Sequence, residues 1–146
     1  MRIFKALTLF AVTLVVSSCS ATVTLDAAPE ANDPACAEVI VRLPDSIGDL
    51  AKRTTNAQST GAWGNPASVI LRCGLPAVTA SQLTCVTAND IDWLVDESNK
   101  PNYRFITFGR SPATEVIVDA TAIAGVTAVE SLAGAVQNIP ATKRCQ

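Results

Sequence analysis

The amino-acid sequence predicts an α+β domain: an antiparallel sheet of four to five strands flanked by an N-terminal and a C-terminal helix, and stapled by disulfide bonds. Three observations lead to this prediction. Apolar residues recur with helical spacing after Asp33 and again after Thr127, and five runs between them are suited to strands. Only short turns separate most of these runs, which favours an antiparallel meander with both helices on one face.

Each predicted helix has a recognisable start and stop. The first begins at Asp33-Pro34, because Asp is a favoured N-cap and Pro suits the first helical position, and Pro44 ends it. Its apolar stripe is Cys36, Val39, Ile40 and Leu43. In the second helix Thr127 and Glu130 form a capping-box pattern, and Pro140 marks the end.

The strand candidates occupy the middle of the chain. They are residues 67–73, 83–88, 91–95, 103–108 and 114–119, with a possible short strand at 53–55. Asn89-Asp90 separates two of them and tolerates a tight hairpin turn, although less well than Asn-Gly does. Trp93 alternates with Ile91 and Val95, so we expect it in the core.

Residues 1–18 have the pattern of an export signal, with two basic residues, the mostly apolar run Ala6–Val16 and then small residues. That run is too short to cross a bilayer core of roughly 30 Å. Val16-Ser17-Ser18-Cys19 resembles the lipobox of bacterial lipoproteins, which implies that Cys19 becomes the lipidated, palmitate-bearing first residue of the mature chain. The alternative is an ordinary secretory signal and a secreted protein.

The mature chain is predicted to have two parts. Residues 19–33 are the lipidated cysteine and a flexible tether, because the segment is small and polar and shows no periodicity. Residues 34–146 are one exported α+β domain. The predicted location is the extracytoplasmic face of the cell membrane, where the lipid alone makes the membrane contact.

Five cysteines leave an even set of four once Cys19 is assigned to lipid. An exported protein with four cysteines is expected to form two disulfides. Three pairings are possible; we expect Cys73–Cys85, joining neighbouring strands, and Cys36–Cys145, tying the first helix to the chain end.

Charge and composition argue against several functions. The sequence has 11 basic and 13 acidic residues; without residues 1–18 the counts are 9 and 13, a net charge of −4. Such a chain is a poor nucleic-acid binder. It has no histidine, which excludes Ser-His-Asp and Cys-His catalysis and histidine-bearing zinc sites. We therefore expect no enzyme, cofactor or metal site.

Weaker chemical alternatives remain. A Ser–Lys dyad would use Lys52, Lys100 or Lys143, none of which lies in a motif that would bury it. An all-cysteine zinc site lacks the C-x2-C spacing. A calcium site at Asp90, Asp92, Asp96 and Glu97 is disfavoured, because apolar residues separate these acids as in a strand.

Three residues form the candidate binding surface: Trp63, Arg72 and Arg110. Trp63 lies in a glycine-rich stretch, and a tryptophan there is equally suited to stacking on a ligand or to filling a core. The arginines are suited to a carboxylate ligand, although pairing with the domain's own acids is the commoner role.

Several short motifs together resemble one family. They are Ala62-Trp63-Gly64-Asn65-Pro66, Val69–Gly74, Asp92-Trp93, Phe108–Pro112 and the helix from Cys36-Ala37 to Leu43-Pro44. The chain resembles an actinobacterial envelope family, the domain of unknown function 3515, over nearly the whole exported domain. The resemblance implies export and a cell-envelope setting. It brings no activity, cofactor or catalytic residue.

The sequence thus predicts a non-enzymatic, lipid-anchored envelope lipoprotein that contacts an unknown envelope protein or wall component. The alternative is an envelope hydrolase or small-ligand carrier with a cleft near Trp63, Arg72 and Arg110. A pocket with convergent polar groups would favour the alternative, and a flat apolar patch would favour the first.

Overall fold

An eight-stranded antiparallel sheet is the main element of the structure, a computed structural model that describes residues 21–146. Its strands are β1 (Ser46–Ile47), β2 (Leu50–Arg53), β3 (Thr60–Trp63), β4 (Val69–Leu75), β5 (Thr84–Ala88), β6 (Ile91–Asp96), β7 (Asn102–Thr107) and β8 (Ala113–Asp119). Their order across the sheet is β1-β2-β3-β4-β8-β7-β6-β5. The two helices are short, α1 (Pro34–Ile40) and α2 (Gly125–Val136). The predicted export signal and Cys19 lie outside the described residues.

The predicted arrangement of four to five strands flanked by two helices is wrong. The five predicted runs correspond to β4–β8, and β1, β2 and β3 extend the sheet beyond them. These three strands lack the expected pattern: β1 has two residues, β2 is exposed at Ala51 and Lys52, and β3 is buried at every position. A strand buried on both faces does not alternate in polarity, so periodicity could not reveal β3.

The strand order departs from a simple meander at one point. β5, β6, β7 and β8 follow one another as antiparallel neighbours. The β4 strand pairs with β8, however, and not with β5; Cys73 lies opposite Thr114. β4 and β5 are therefore four strand spacings apart, about 19 Å at about 4.8 Å per step.

One face of the sheet carries the main core. Alternate residues of the strands, such as Leu71, Trp93 and Val116, pack there with apolar residues of both helices, including Val39 and Leu132. These five side chains are fully buried. We call this the inner face; burying it against α1 and α2 is the main apolar stabilisation of the fold.

The other face, the outer face, carries a smaller apolar cluster. Leu94, Ile106, Phe108 and Ala113 form it, and Leu75, Val78, Cys85 and Cys145 pack against it. The C-terminal segment is held there by Thr142, whose amide donates to the Gly109 carbonyl at 2.7 Å.

Two disulfides form, as predicted, but the predicted pairing is wrong. The bonds join Cys36 to Cys73 and Cys85 to Cys145. Cys73 and Cys85 cannot meet, because their strands are about 19 Å apart and disulfide Cα atoms lie within about 7 Å. Cys73 and Cys36 both belong to the inner-face core, whereas Cys85 and Cys145 pack against the outer-face cluster.

The helix starts give one confirmed and one wrong prediction. Asp33 caps α1, its side chain accepting from the Ala35 amide at 2.8 Å. The α2 helix begins at Gly125, two residues before the predicted capping box, and its N-cap, Ala124, makes no side-chain bond. The hydroxyl of Ser131 donates to the Thr127 carbonyl, one turn inside the helix.

The described part of the predicted tether packs on the domain instead of extending freely. Val23 forms a parallel bridge with Thr55, and its amide donates to the Thr54 carbonyl at 2.8 Å. Ala28 and Ala31 are buried, and the Glu30 amide donates to the Gly74 carbonyl at 2.8 Å. Small side chains allow this segment to approach the domain closely. Its composition had predicted a flexible coil instead.

Candidate binding site

The structure does not bring Trp63, Arg72 and Arg110 together, so the predicted cleft among them does not form. Trp63 is fully buried in β3, where its indole nitrogen donates to the Pro44 carbonyl at 3.0 Å. It is a core residue that fixes the chain after α1, and it is not available to stack on a ligand. Trp93 is likewise buried in the core, as predicted.

Arg72 belongs to an ion cluster on the outer face. Its Nε donates to Oε1 of Glu115 at 2.6 Å, while Nε of Arg104 donates to Oε2 at 2.5 Å. Glu115 is only 2% exposed, whereas the two arginines are about one third exposed. Both carboxylate oxygens of Glu115 are thus hydrogen-bonded within the protein. Arg72 has the commoner of its two expected roles, pairing with an acid of its own domain.

Arg110 is buried and holds the C-terminal part of the chain. Its guanidinium donates to the Ile139 carbonyl, and Arg110 itself bridges to Ala141. Burial lowers the pKa of Arg110, with a further contribution from Arg144. Asp90 and Asp92 act in the opposite direction. Arg110 therefore has a structural role: it fastens the segment after α2 to the end of the sheet.

The most apolar cavity lies elsewhere, between α2 and the inner face of β5–β7. This inner cavity has a volume of about 450 Å³. Its lining is Thr84, Val86, Thr87, Ala88, Val95, Glu97, Tyr103, Phe105, Ala120, Gly125, Val126 and Val129. Ligand pockets typically measure about 300–1,000 Å³ and are mostly apolar with a few polar groups, so the inner cavity is in the range of a binding site.

A close helix approach shapes the inner cavity. The α2 helix begins at Gly125, and a Cβ atom built there would lie 2.5 Å from Cζ of Phe105. Glycine therefore lets the start of α2 rest on the Phe105 ring. On the polar side, Glu97 pairs with Lys100 at 2.6 Å, and the Lys100 ammonium lies 5.6 Å from the centre of the Tyr103 ring.

A second cavity lies on the outer side of the same strand. This outer cavity, about 620 Å³, is bordered by Thr79, Ala80, Ser81, Leu83, Cys85, Thr87, Leu94, Phe108, Lys143, Arg144, Cys145 and Gln146. The described chain exposes four large hydrophobic residues: Val41, Leu83, Val86 and Val126. Three of the four, all except Val41, border one of the two cavities.

Sequence reasoning missed this site. Val86 and Thr87 lie in a correctly predicted strand, but nothing local shows that this strand is at the edge of the sheet. The available signal was composition, since Thr84–Ala88 contains neither a charged residue nor a proline. Edge strands usually carry charged residues or proline, which discourage pairing with another chain.

Two absences apply to residues 21–146. No group of three or more cysteine or acidic side chains is arranged to hold a metal ion there. No helix in that range combines the length and apolar character needed to cross a membrane.

The comparisons identify the family. A family model described as "Protein of unknown function (DUF3515)" matches residues 3–144. The chain belongs to this family. No curated protein and no solved structure matches it.

In this DUF3515 chain, the motifs that carry the resemblance serve the fold. Trp63 hydrogen-bonds to the segment after α1, and Cys73 forms a disulfide with α1. Gly74 and Gly109 have positive φ angles and touch backbone that a Cβ atom would strike at 2.5 and 2.2 Å. Glycine is required where chains approach so closely. The family motifs therefore stabilise the fold. Of the residues in these motifs, only Phe108 borders one of the two cavities.

Proposed function

We propose that this DUF3515 protein is a lipid-anchored envelope protein whose domain acts as a non-enzymatic binding module. The observation that carries the binding function is the inner cavity of about 450 Å³ beside the exposed edge strand β5. Apolar surface of this kind, open at Val86 and Val126, is typical of sites that receive another molecule.

The anchored location is supported by two features of the chain. The lipobox-like sequence Val16–Cys19 supports lipidation at Cys19, shortly before the described residues. The disulfides use all four other cysteines, which is the arrangement expected in an oxidising compartment outside the cytoplasm.

The intact mass of the protein extracted from membranes of its own host tests the anchor. The expected mass is that of residues 19–146 with a diacylglyceryl group and any N-acyl group, less four hydrogens for two disulfides. A lipid-free mass starting after Cys19 would show a secreted protein and remove the anchoring part of the proposal.

Crosslinking on the same membranes tests the binding module. A lysine-reactive crosslinker is expected to join the protein to an envelope partner through its three exposed lysines, Lys52, Lys100 and Lys143. Recovery of only uncrosslinked protein over a range of reagent concentrations would contradict a binding function.

A small apolar ligand is the second candidate occupant, since the volume of the inner cavity favours it as well. Native mass spectrometry of the protein from its host separates the two. A carrier should retain a bound molecule of defined mass that is lost on organic extraction, whereas a protein-binding module should not.

A further inference from the structure

The two edges of the sheet are protected very differently. At one edge β1 has only two residues, and Val23 hydrogen-bonds to the Thr54–Asn56 segment beside β2. β2 also carries Lys52 and Arg53, basic residues of the kind that discourage pairing with another chain. At the other edge β5 has none of these devices.

The β5 strand keeps its outward backbone groups free. It pairs with β6 through a two-residue turn, in which Asn89 and Asp90 have φ angles of 46° and 63°. That geometry makes Ala88 and Ile91 a hydrogen-bonded pair, and such pairs alternate along an antiparallel ladder. The amides and carbonyls of Cys85 and Thr87 therefore point away from β6. They hydrogen-bond to no described residue outside the sheet.

The side chains of β5 border both cavities. Val86 borders only the inner cavity and Cys85 only the outer one, while Thr87 borders both. A strand added beside β5 would also alternate, since successive side chains point to opposite faces. Free backbone groups flanked by cavities on both faces select an extended peptide rather than a helix or a compact ligand.

Charge distinguishes the two faces of the added strand. The inner cavity is mainly apolar, and its acid, Glu97, is already paired with Lys100. On the outer side, the Lys143 ammonium donates to the Thr79 carbonyl at 2.7 Å, and no carboxylate of the described chain pairs with it. This leaves a basic group at the outer cavity, which Cys85 and Thr87 of β5 also border.

We propose that an extended segment of a partner protein adds to β5 as a ninth strand, with an apolar side chain in the inner cavity and an acidic one toward Lys143. This inference rests on the binding-module function proposed above. Backbone bonds to Cys85 and Thr87 hold the segment, and the two cavities select its side chains.

A second copy of this chain fits the edge less well. Antiparallel pairing of β5 with β5 of another copy would place the two outer faces side by side. The strand that each copy would add to the other is Thr84–Ala88, which contains no acidic side chain to meet Lys143 in the outer cavity. A partner strand that carries an acidic residue can supply this ion pair, whereas β5 of a second copy cannot.

The first step of the test locates the partner in the host. A photo-crosslinking amino acid replaces Val86 or Val126 at the site, or Val41 as the matched control, which is also exposed but lies at the end of α1. We expect both site positions to crosslink to one segment of an envelope protein, and the control not to. Crosslinks from Val86 to a second copy, or none from Val86, would overturn the proposal.

The second step measures binding of a synthetic peptide copied from the crosslinked segment to the full protein from its host. Thr87→Pro removes an outward amide without breaking the β5–β6 bonds, so we expect affinity to fall at least tenfold. Thr87→Val loses the hydroxyl but keeps the amide, so it should bind the peptide more tightly than Thr87→Pro does. Val41→Lys changes an exposed residue at the end of α1 and should change affinity less than twofold. Equal binding to the Pro variant would overturn strand addition.

Two further variants keep the test valid if Thr87→Pro fails to fold. Val86→Lys leaves the backbone unchanged and places a charge at the inner cavity; we expect at least a tenfold loss. Lys143→Glu should lower the affinity for an acidic segment at least threefold. Unchanged affinity in Val86→Lys would overturn the proposal.

The two proposals fail in different ways. If chemical crosslinking finds an envelope partner but Val86 and Thr87 variants leave its binding intact, the protein is a binding module that uses another surface. If no partner is found by either crosslinking method, the binding function itself is contradicted.

Discussion

Asp92 joins the sheet to the C-terminal segment at the scale of a single residue. Its Oδ1 accepts from the Thr87 hydroxyl at 2.7 Å, and its Oδ2 accepts from the Cys145 amide at 2.9 Å. Burial alone would raise the pKa of Asp92, but these hydrogen bonds and the charges of Arg144 and Arg110 together hold it below its usual value of 3.8. The ionised carboxylate is therefore the form the fold favours.

This shift predicts how stability responds to acid. Because the pKa of Asp92 is lower in the folded state, its contribution is fully present above pH 3.8 and is lost as the pH falls through the folded pKa. Asp92→Asn should be less stable than wild type at neutral pH, by about 1–2 kcal/mol. The free energy of unfolding in urea should then fall less steeply below pH 4 than in wild type.

Asp49→Asn is the matched control, since Asp49 is exposed and its side chain makes no hydrogen bond to a described residue. It should reproduce the wild-type acid response. If the free energy of unfolding of Asp92→Asn falls below pH 4 as steeply as that of wild type, the ionisation of Asp92 is not coupled to folding.

At the residue scale, the sequence predicted roles that depend on near neighbours better than roles that depend on distant partners. Asp33 as a cap, Trp93 as a core residue and Asn89-Asp90 as a turn are confirmed, because each depends on neighbours close in the chain. The role of Trp63 depends on a carbonyl 19 residues away, and that of Arg110 on one 29 residues away. Local pattern cannot reveal such partners.

Among the elements, the N-terminal segment and β4 depend on a single glycine. Gly74 has a φ angle of 109°, and a Cβ atom there would lie 2.5 Å from the Ala31 amide nitrogen. Backbone rather than a flexible side chain occupies that space, so an alanine must push the segment away or strain the strand.

Gly74→Ala should therefore release the N-terminal segment and lower the free energy of unfolding by about 2 kcal/mol or more. Limited proteolysis of the mature protein should cut residues 21–31 much faster than in wild type. Gly134→Ala is the matched control, because nothing lies within 4 Å of its Cβ position in α2, and it should be neutral or slightly stabilising. Equal cleavage in both variants would show that the segment does not depend on this contact.

The elements also show where sequence reasoning fails in physical terms. Strands β4 and β6 were predicted because their residues alternate between two faces, and β5, β7 and β8 because turn residues bound them. β3 is buried at all four positions, and β1 is too short to show a period. The pairing of β4 with β8 is a long-range choice that no turn specifies, and the wrong disulfide prediction followed from missing it.

For the whole molecule, the two disulfides fasten opposite faces of the sheet. Cys36 and Cys73 are fully buried in the main core, whereas Cys85 and Cys145 are partly exposed beside the outer cavity. The bridges span 37 and 60 residues, and loop entropy assigns each about 4 kcal/mol. Loop length therefore does not distinguish them, but access does.

A thiol reductant applied without denaturant should open Cys85–Cys145 first and leave Cys36–Cys73 intact. Alkylation followed by mass mapping identifies which cysteines have reacted. In denaturant both bridges should react at similar rates, which is the control for intrinsic reactivity. Faster reduction of Cys36–Cys73 in the native protein would contradict the burial of that bridge.

The docked N-terminal segment has a consequence for reach. Since Val23 is bonded beside β2, only residues 20–22 separate it from Cys19, and a lipid at Cys19 would hold that edge close to the bilayer. β5 lies six strands away, about 29 Å along the sheet at about 4.8 Å per step. The width of the sheet would then limit how far its free edge lies from the bilayer. A partner anchored in the same bilayer would need at most about nine extended residues, at about 3.3 Å each, to bring a segment to that edge.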